Sequence, residues 1–292
     1  MRTYNIVLKF ILILFFLSLF TPLQAAENND RPLIFGVHPY LHPTTLIERF
    51  TPLTDYLAKQ MGQDILIRVG SDYNDHIEAI IQGKVDFAFL GPSLYIKLTQ
   101  NNKQFTPLGR LSFSGKKLFR GAIIVRQDSN IKSLKDLRGK KFALGDPDST
   151  LSSLLPISML SDAGIQLEDL SEYTHLTNHH NVALSVLLGK YDAGGVKEEV
   201  LNEYQSRGLK AIQWSPEIPT HLFVARAGLP QQKINTLSQL LQNLHKQTGA
   251  SDILQNIKKG TTAIIPAKLE EYGKLRELIA PLQGTLPLET GN

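Results

Sequence analysis

The sequence predicts a two-lobed α/β protein in which each lobe is a mixed, mostly parallel sheet flanked by helices. Three observations predict it. Short apolar runs alternate with helical patterns from Leu33 onward, the order expected of a sheet covered by helices. One helix-Gly-Lys-x-Asp-strand unit occurs twice, about a hundred residues apart. The 292 residues, less a leader of about 25, leave room for two modest lobes.

The elements follow in order. Leu33–Val37 reads as a strand, and Leu46–Met61 as a helix closed by Gly62. Ile65–Val69 is a second strand, His76–Ile81 a helix with Gly83 past its end, and Val85–Leu90 a short buried strand. Gly91 and Pro92 open another helix, since proline is tolerated at the first helical position. Leu118–Arg126 reads as one long strand, Ser133–Leu137 as a short helix, and Lys141–Leu144 as an apolar run leading into a helical pattern. Later come a helix at Lys197–Gln205 and strands near Leu209–Trp214 and His221–Ala225. The last third reads as largely helical: Gln231–Gln247, Asp252–Lys258, and Lys268–Leu282 after Pro266.

The repeated unit spans 76–88 and 181–193. In both copies an amphipathic helix ends at a glycine (Gly83, Gly189), and Lys-x-Asp leads into a short strand. Each lobe then carries the unit once, or the unit is a common α/β turn that occurs twice by chance. On the paired reading, 27–113 and 222–292 form lobe 1 and 114–221 form lobe 2, joined by a two-stranded hinge. Ligands in such folds sit at the carboxyl ends of strands, where helix N-termini converge. Gly91-Pro92-Ser93, Ser149-Thr150-Leu151-Ser152 and Asn178-His179-His180 fall at such ends.

Residues 1–26 read as a secretory signal peptide. Arg2 and Lys9 precede the apolar run Phe10–Phe20, Pro22 breaks it, and Leu23-Gln24-Ala25-Ala26 offers a cleavage site after Ala25 or Ala26. The apolar core is shorter than the roughly 20 residues of a comfortable span. With no cysteine, the chain has no disulfide framework, thiolate metal site, cysteine nucleophile or lipidation point. The expected location is the periplasm of a Gram-negative cell. Cleavage lowers the formal charge from +4 to about +2, and the basic residues are scattered, so no nucleic-acid partner is implied.

The segment Gly145-Asp146-Pro147-Asp148-Ser149-Thr150-Leu151-Ser152 sets three hydroxyls where a helix begins. Helix N-termini have free N–H donors and partial positive charge, which suit a small oxyanion. The same residues also make an ordinary N-cap.

These motifs together resemble the periplasmic phosphonate/phosphite/phosphate-binding proteins of ABC transporters. The resemblance is carried by Phe35-Gly36-Val37-His38-Pro39-Tyr40, Pro52–Leu57 with Gly62, Gly83–Ala88, Gly91-Pro92-Ser93-x-Tyr95, Asp146–Thr150 with Pro156, and His179 ten residues before Gly189. It implies a type II-like periplasmic-binding-protein fold, a monomer that hands a small phosphorus oxyanion to a membrane permease, and no cofactor. Ser149, Thr150 and His179 would contact the oxyanion, Tyr40 and Tyr95 would line the cleft, and Ser93 and Ser152 would add hydroxyls. The sequence departs from the family pattern at Leu151, Ser152, Asn178 and His180, so one donor is lost beside the anion, for which Ser152 could compensate. Glu198 and Glu199 could meet the ammonium of an aminoalkyl phosphonate, or serve as helix-start acids.

Three rivals stay open on the residues alone. Eight histidines, with His38 and His42, and His175 and His179, four apart, allow a metal receptor. Ser149 with His179 and an acid allows a hydrolase, though no Gly-x-Ser-x-Gly elbow surrounds the serine. The same fold could also feed a membrane sensor kinase or cyclase.

Overall fold

Parallel pairing dominates one half of each sheet and antiparallel pairing the other. The computed structural model describes residues 31–100, 105–113 and 118–282, and the described residues from Leu33 onward form one compact unit. The leader reading of 1–26 lies outside the described residues, and no described helix is long and apolar enough to cross a membrane.

The first sheet has the order β13-β4-β12-β3-β1-β2. Strands β1 (Leu33–Val37), β2 (Ile65–Val69) and β3 (Phe87–Leu90) pair in parallel around β1. They are linked by helices α1 (Pro43–Met61) and α2 (Tyr73–Ile81), and α3 (Pro92–Thr99) follows β3. Strands β4 (Thr106–Phe113), β12 (Leu222–Ala225) and β13 (Thr261–Ile265) complete the sheet antiparallel. The second sheet has the order β10-β6-β9-β7-β8. Here β7 (Lys141–Leu144), β8 (Glu172–His175) and β9 (Ala193–Lys197) run parallel, while β6 (Gly121–Arg126) and β10 (Leu209–Trp214) pair antiparallel. Helices α4 (Leu155–Asp162), α5 (His179–Leu187) and α6 (Glu198–Gln205) belong to this half, and α7 (Gln231–Asn243), α8 (Ala250–Ile257) and α9 (Gly273–Ile279) follow the return to the first sheet.

The architecture is the mixed α/β fold expected, with three local differences. The run Leu118–Arg126 is two strands. β5 (Leu118–Phe119) pairs with β11 (Ile218–Pro219) where the chain passes between sheets, and Arg120 breaks the run by turning to the Trp214 ring and Glu198. The last third contains β13, whose β-branched Thr261-Thr262 and Ile264-Ile265 suit a strand docked on β4. The antiparallel half is larger than the alternation suggested, because β4 carries the polar Arg110 and Ser112 and has no clean apolar pattern.

Alternation along the strands packs both faces of each sheet. On the first, Phe35, Phe87, Phe89 and Phe223 meet Phe50 of α1, with Phe35 and Phe87 stacked at 4.7 Å. The opposite face sets Ala88, Leu90 and Val224 against Ile77, Tyr95 and Tyr272. On the second, Ile123, Val125 and Phe142 face α4, and Ala122, Ile124 and Val196 face α5 and α6.

The segment opening α4 is a π-helical turn, Thr150–Leu154, seated directly on β9. A methyl added at Gly195 would lie 2.4 Å from Pro156 Cγ and 3.1 Å from the Ser152 carbonyl oxygen. Glycine is therefore required for the turn to reach the strand end. Gly195→Ala should destabilise the protein by about 1–3 kcal/mol through overpacking, read as a lower denaturation midpoint. An unchanged midpoint would show that the turn is not held at this distance.

Candidate functional site

The carboxyl ends of β1, β3, β7 and β9 and the start of α5 converge on one cavity of about 30 Å³. By this measure one water needs roughly 10–15 Å³, so the space suits a compact ion and excludes anything the size of a sugar. From the first sheet come His38 and Tyr40 beyond β1, Tyr73 at the start of α2, Gly91 to Ser93 at the start of α3, and His221 before β12. From the second come Phe119 of β5, Ser149 to Leu151 of the π-turn, His179 of α5 and Lys197 ending β9. Among the described residues no carboxylate lines the cavity.

Hydroxyls tie the two sides together. The Ser93 N–H donates to Thr150 Oγ1 at 3.0 Å, Thr150 Oγ1 donates to Ser93 Oγ at 2.7 Å, and Ser93 Oγ donates to the Asp148 carbonyl at 2.6 Å. Lys97 adds an ion pair to Asp148 at 2.6 Å. The N–H groups of Thr150, Leu151 and Ser152 open the turn and have no acceptor among the described residues, as a helix start dictates.

Two histidine tautomers are fixed by backbone bonds. His179 Nδ1 accepts the Lys197 N–H at 3.2 Å, so in the neutral ring Nε2 carries the proton. His38 Nδ1 lies 3.2 Å from the Phe89 carbonyl and must donate to it, which leaves Nε2 a lone pair.

The electrostatics are those of basic groups in a largely buried setting. Burial, reinforced by Lys258, depresses the Lys197 ammonium to about 8. Desolvation holds His38 down to about 3 and pushes His179 and His221 well below the ordinary imidazole range. Of the nearby acids, Glu199 pairs with Lys258 and Glu198 with Arg120, both at 2.8 Å, while Glu203 lies 3.7 Å from the His180 ring; Glu199 and Glu203 act on Lys197 through space only. Behind the loop, burial followed by Asp148 raises the Asp146 carboxyl to about 7, although the Asp148 N–H bond opposes the shift.

Of the residues singled out in the sequence, Tyr40, Ser93, Ser149, Thr150 and His179 line this cavity. Tyr95 and Ser152 do not. Tyr95 lies half a turn further along α3, in the core at 5.1 Å from the Tyr272 ring. Ser152 lies on the other side of the π-turn and donates to the Gly195 carbonyl at 2.6 Å, so it anchors the turn to β9 and does not replace the hydroxyl absent at Leu151. Leu151 is buried and faces the cavity. Asn178 caps α5 by accepting the Asn181 N–H. Glu198 and Glu199 stand outside the lining.

His38, Tyr73, Phe119, Lys197 and His221 also line the cavity and are not among the residues the sequence assigns to the ligand; His38 figures there only in the motif before Tyr40 and in a possible metal pair. Lys197 had a signal: it ends the strand of the second repeated unit, as Gly91 follows that of the first. Phe119 and His221 sit at the sheet-to-sheet crossings, which no local pattern marks. The suggested metal pairs do not form sites: His42 is exposed at the start of α1 while His38 is buried, and His175 is bonded to the Gly145 carbonyl at 2.7 Å. No group of three or more metal-binding side chains is found among the described residues.

A family model described as ABC transporter, phosphonate, periplasmic substrate-binding protein matches residues 35–272. The chain belongs to this family. It is similar to the phosphate-import protein PhnD of Mycolicibacterium smegmatis, 27% identical over 232 residues that cover 74% of this chain and 72% of the relative. Among solved structures it resembles the binding-protein component of an ABC phosphonate transporter from Pseudomonas aeruginosa, with TM-score 0.78, 20% identity and 87% of each chain covered. It also resembles PhnD1 of Prochlorococcus marinus in complex with methylphosphonate, with TM-score 0.75, 21% identity, and 87% of this chain and 98% of that one covered. The family is one of solute-binding proteins and not of enzymes.

The cost of burying Lys197 without a partner yields a prediction. The unfolded side chain titrates near 10.5 and the folded one near 8, so below pH 8 the folded protein carries the full penalty, which is relieved as pH rises towards 10.5. Discounted for partial exposure, this amounts to about 1–3 kcal/mol. At pH 7 Lys197→Met should raise the melting temperature of the ligand-free protein and abolish stabilisation by methylphosphonate. A variant that melts lower, or still responds to the ligand, would contradict the role.

Proposed function

We propose that this substrate-binding protein captures a small phosphorus oxyanion bearing a hydrogen or carbon substituent in the His38–Thr150–Lys197 cavity and delivers it to an ABC permease. The observation that carries the reading is a largely buried ammonium, Lys197, facing a cavity of donors with no carboxylate in it. An oxyanion supplies the missing charge, and its lone pairs meet the N–H groups of 150–152, the Ser149 hydroxyl and the His179 Nε2–H. Fixed donors of this kind offset the cost of stripping water from a compact anion.

Leu151 sets the preference among oxyanions. It turns an apolar side chain to the cavity where another hydroxyl would serve a fourth oxygen. Phosphate would leave an oxygen short of a donor, at a cost of about 1–3 kcal/mol, whereas methylphosphonate or phosphite could direct its methyl or hydrogen there. The lack of a lining acid disfavours aminoalkyl phosphonates, whose ammonium would meet Lys197 instead. The M. smegmatis relative is named for phosphate import and the P. marinus protein was solved with methylphosphonate, two anions of the class proposed here.

In this reading the two sheets are two lobes, 27–113 with 222–292 and 114–221, and β5 paired with β11 is the hinge strip. The Ser93–Thr150 and Lys97–Asp148 contacts hold the lobes closed over the ligand. The protein works as a periplasmic monomer after its leader is cut at Ala25 or Ala26.

Calorimetry against methylphosphonate, phosphite, phosphate and aminoethylphosphonate tests the proposal. Methylphosphonate or phosphite should bind at least about tenfold more tightly than phosphate, a difference of about 1.4 kcal/mol, and Leu151→Ser should narrow that gap. Phosphate binding more tightly than both substituted anions would overturn the assignment.

A further inference from the structure

His38 stands at the cavity with chemistry opposite to that of its neighbours. Its Nδ1–H is committed to the Phe89 carbonyl at 3.2 Å, so the ring's other nitrogen faces away from β3. A methyl placed on Gly91 would lie 4.0 Å from His38 Nε2, 3.9 Å from His221 Nε2 and 3.9 Å from Thr150 Oγ1. His38 Nε2 is thus directed at the ligand space where α3 begins. Every other group fixed at the cavity by a backbone bond or a helix start is a donor: the His179 Nε2–H and the open N–H groups of the π-turn.

The surroundings hold His38 in its accepting form. Its ring packs against Tyr40 at 4.8 Å, His221 at 5.3 Å, Tyr73 at 5.4 Å, Phe89 at 5.8 Å and His76 at 6.2 Å. His221 and His76 are themselves kept neutral by burial, and Tyr40 and Tyr73 have raised phenol pKa values, so none offers a negative charge. Lys197 and Lys258 add positive potential that opposes protonation. A second hydrogen-bond donor on the ligand is therefore the partner that Nε2 lacks.

We propose that His38 Nε2 accepts the acidic O–H of a singly protonated phosphonate or phosphite, so that this residue selects a hydrogen-bearing oxyanion over an isosteric sulfonate of the same charge. This rests on the cavity being the oxyanion site. Methanesulfonate has the shape and single charge of hydrogen methylphosphonate but no O–H to give. With it, the lone pair of Nε2 would face a lone pair of oxygen. A polar site that pairs with a substrate hydroxyl rejects the analogue lacking it strongly.

Calorimetric titration of the natural protein with methylphosphonate and methanesulfonate across pH 6 to 8.5 tests this. Below the second ionisation of methylphosphonate both ligands are monoanions, so Lys197 acts alike on them and cancels in the ratio of affinities. Methylphosphonate should bind at least about tenfold more tightly at pH 6, and through that ionisation the ratio should fall relative to His38→Phe, in which the attraction of Lys197 for the dianion is the same. In His38→Phe the ratio should collapse to within about threefold, and His38→Gln, whose amide oxygen can accept, should restore part of it. Equal binding of both anions by the natural protein, or a ratio unchanged in His38→Phe, would overturn the role of His38 and leave the oxyanion site standing. Failure of both anions to bind would remove the site and this inference together.

Discussion

A largely buried ammonium with no ion pair of its own among the described residues is the constraint around which this protein is arranged. Lys197 sits where a strand ends, near Glu199 and Glu203, yet Glu199 is held by Lys258 and Glu203 lies beside His180. An isolated ion is costly to remove from water, and proteins usually pair it or neutralise it. Here the depressed ammonium pKa marks that cost. On the proposed function an anion would relieve it, so part of the binding free energy would be set in place when the chain folds.

The fold serves this arrangement by bringing strand carboxyl ends from two sheets to one point. Gly194 and Gly195 let the π-turn and β7 approach β9 closely enough for Thr150 and Lys197 to share a cavity. Ser152, bonded to the Gly195 carbonyl, fixes that approach. The hydroxyls of Ser93 and Thr150 then join the turn to the start of α3, while the amides that open the turn have no acceptor among the described residues. Packing, capping and binding therefore meet within the same few residues. A change at Gly195 is transmitted to the amides without touching the ligand.

Much of this was legible in the sequence because it is local. Leu33–Val37 and Ile65–Val69 were readable to the residue from their apolar runs, and the hydroxyl cluster at Ser149 announced a helix start. β4 was not, since Arg110 and Ser112 are buried polar residues whose partners come from distant segments, Arg110 bonding Glu271. Ser152 and Tyr95 were misplaced for a related reason. Spacing puts both near the cavity, and only the π-helical winding and the course of α3 turn them away. His221 and Phe119 reach the cavity through the crossings between sheets, which depend on contacts about a hundred residues apart in the chain.

The most direct test of the central constraint is the titration of Lys197 itself, followed by carbon-13 NMR of labelled lysine in the empty and methylphosphonate-loaded protein, with Lys197→Arg used to assign the signal. The empty protein should show an ammonium titrating near 8, and loading should move it upward by at least about one unit, because the bound anion stabilises the charged form. A lysine that titrates near its ordinary 10.5 in the empty protein and does not move on loading would contradict the account.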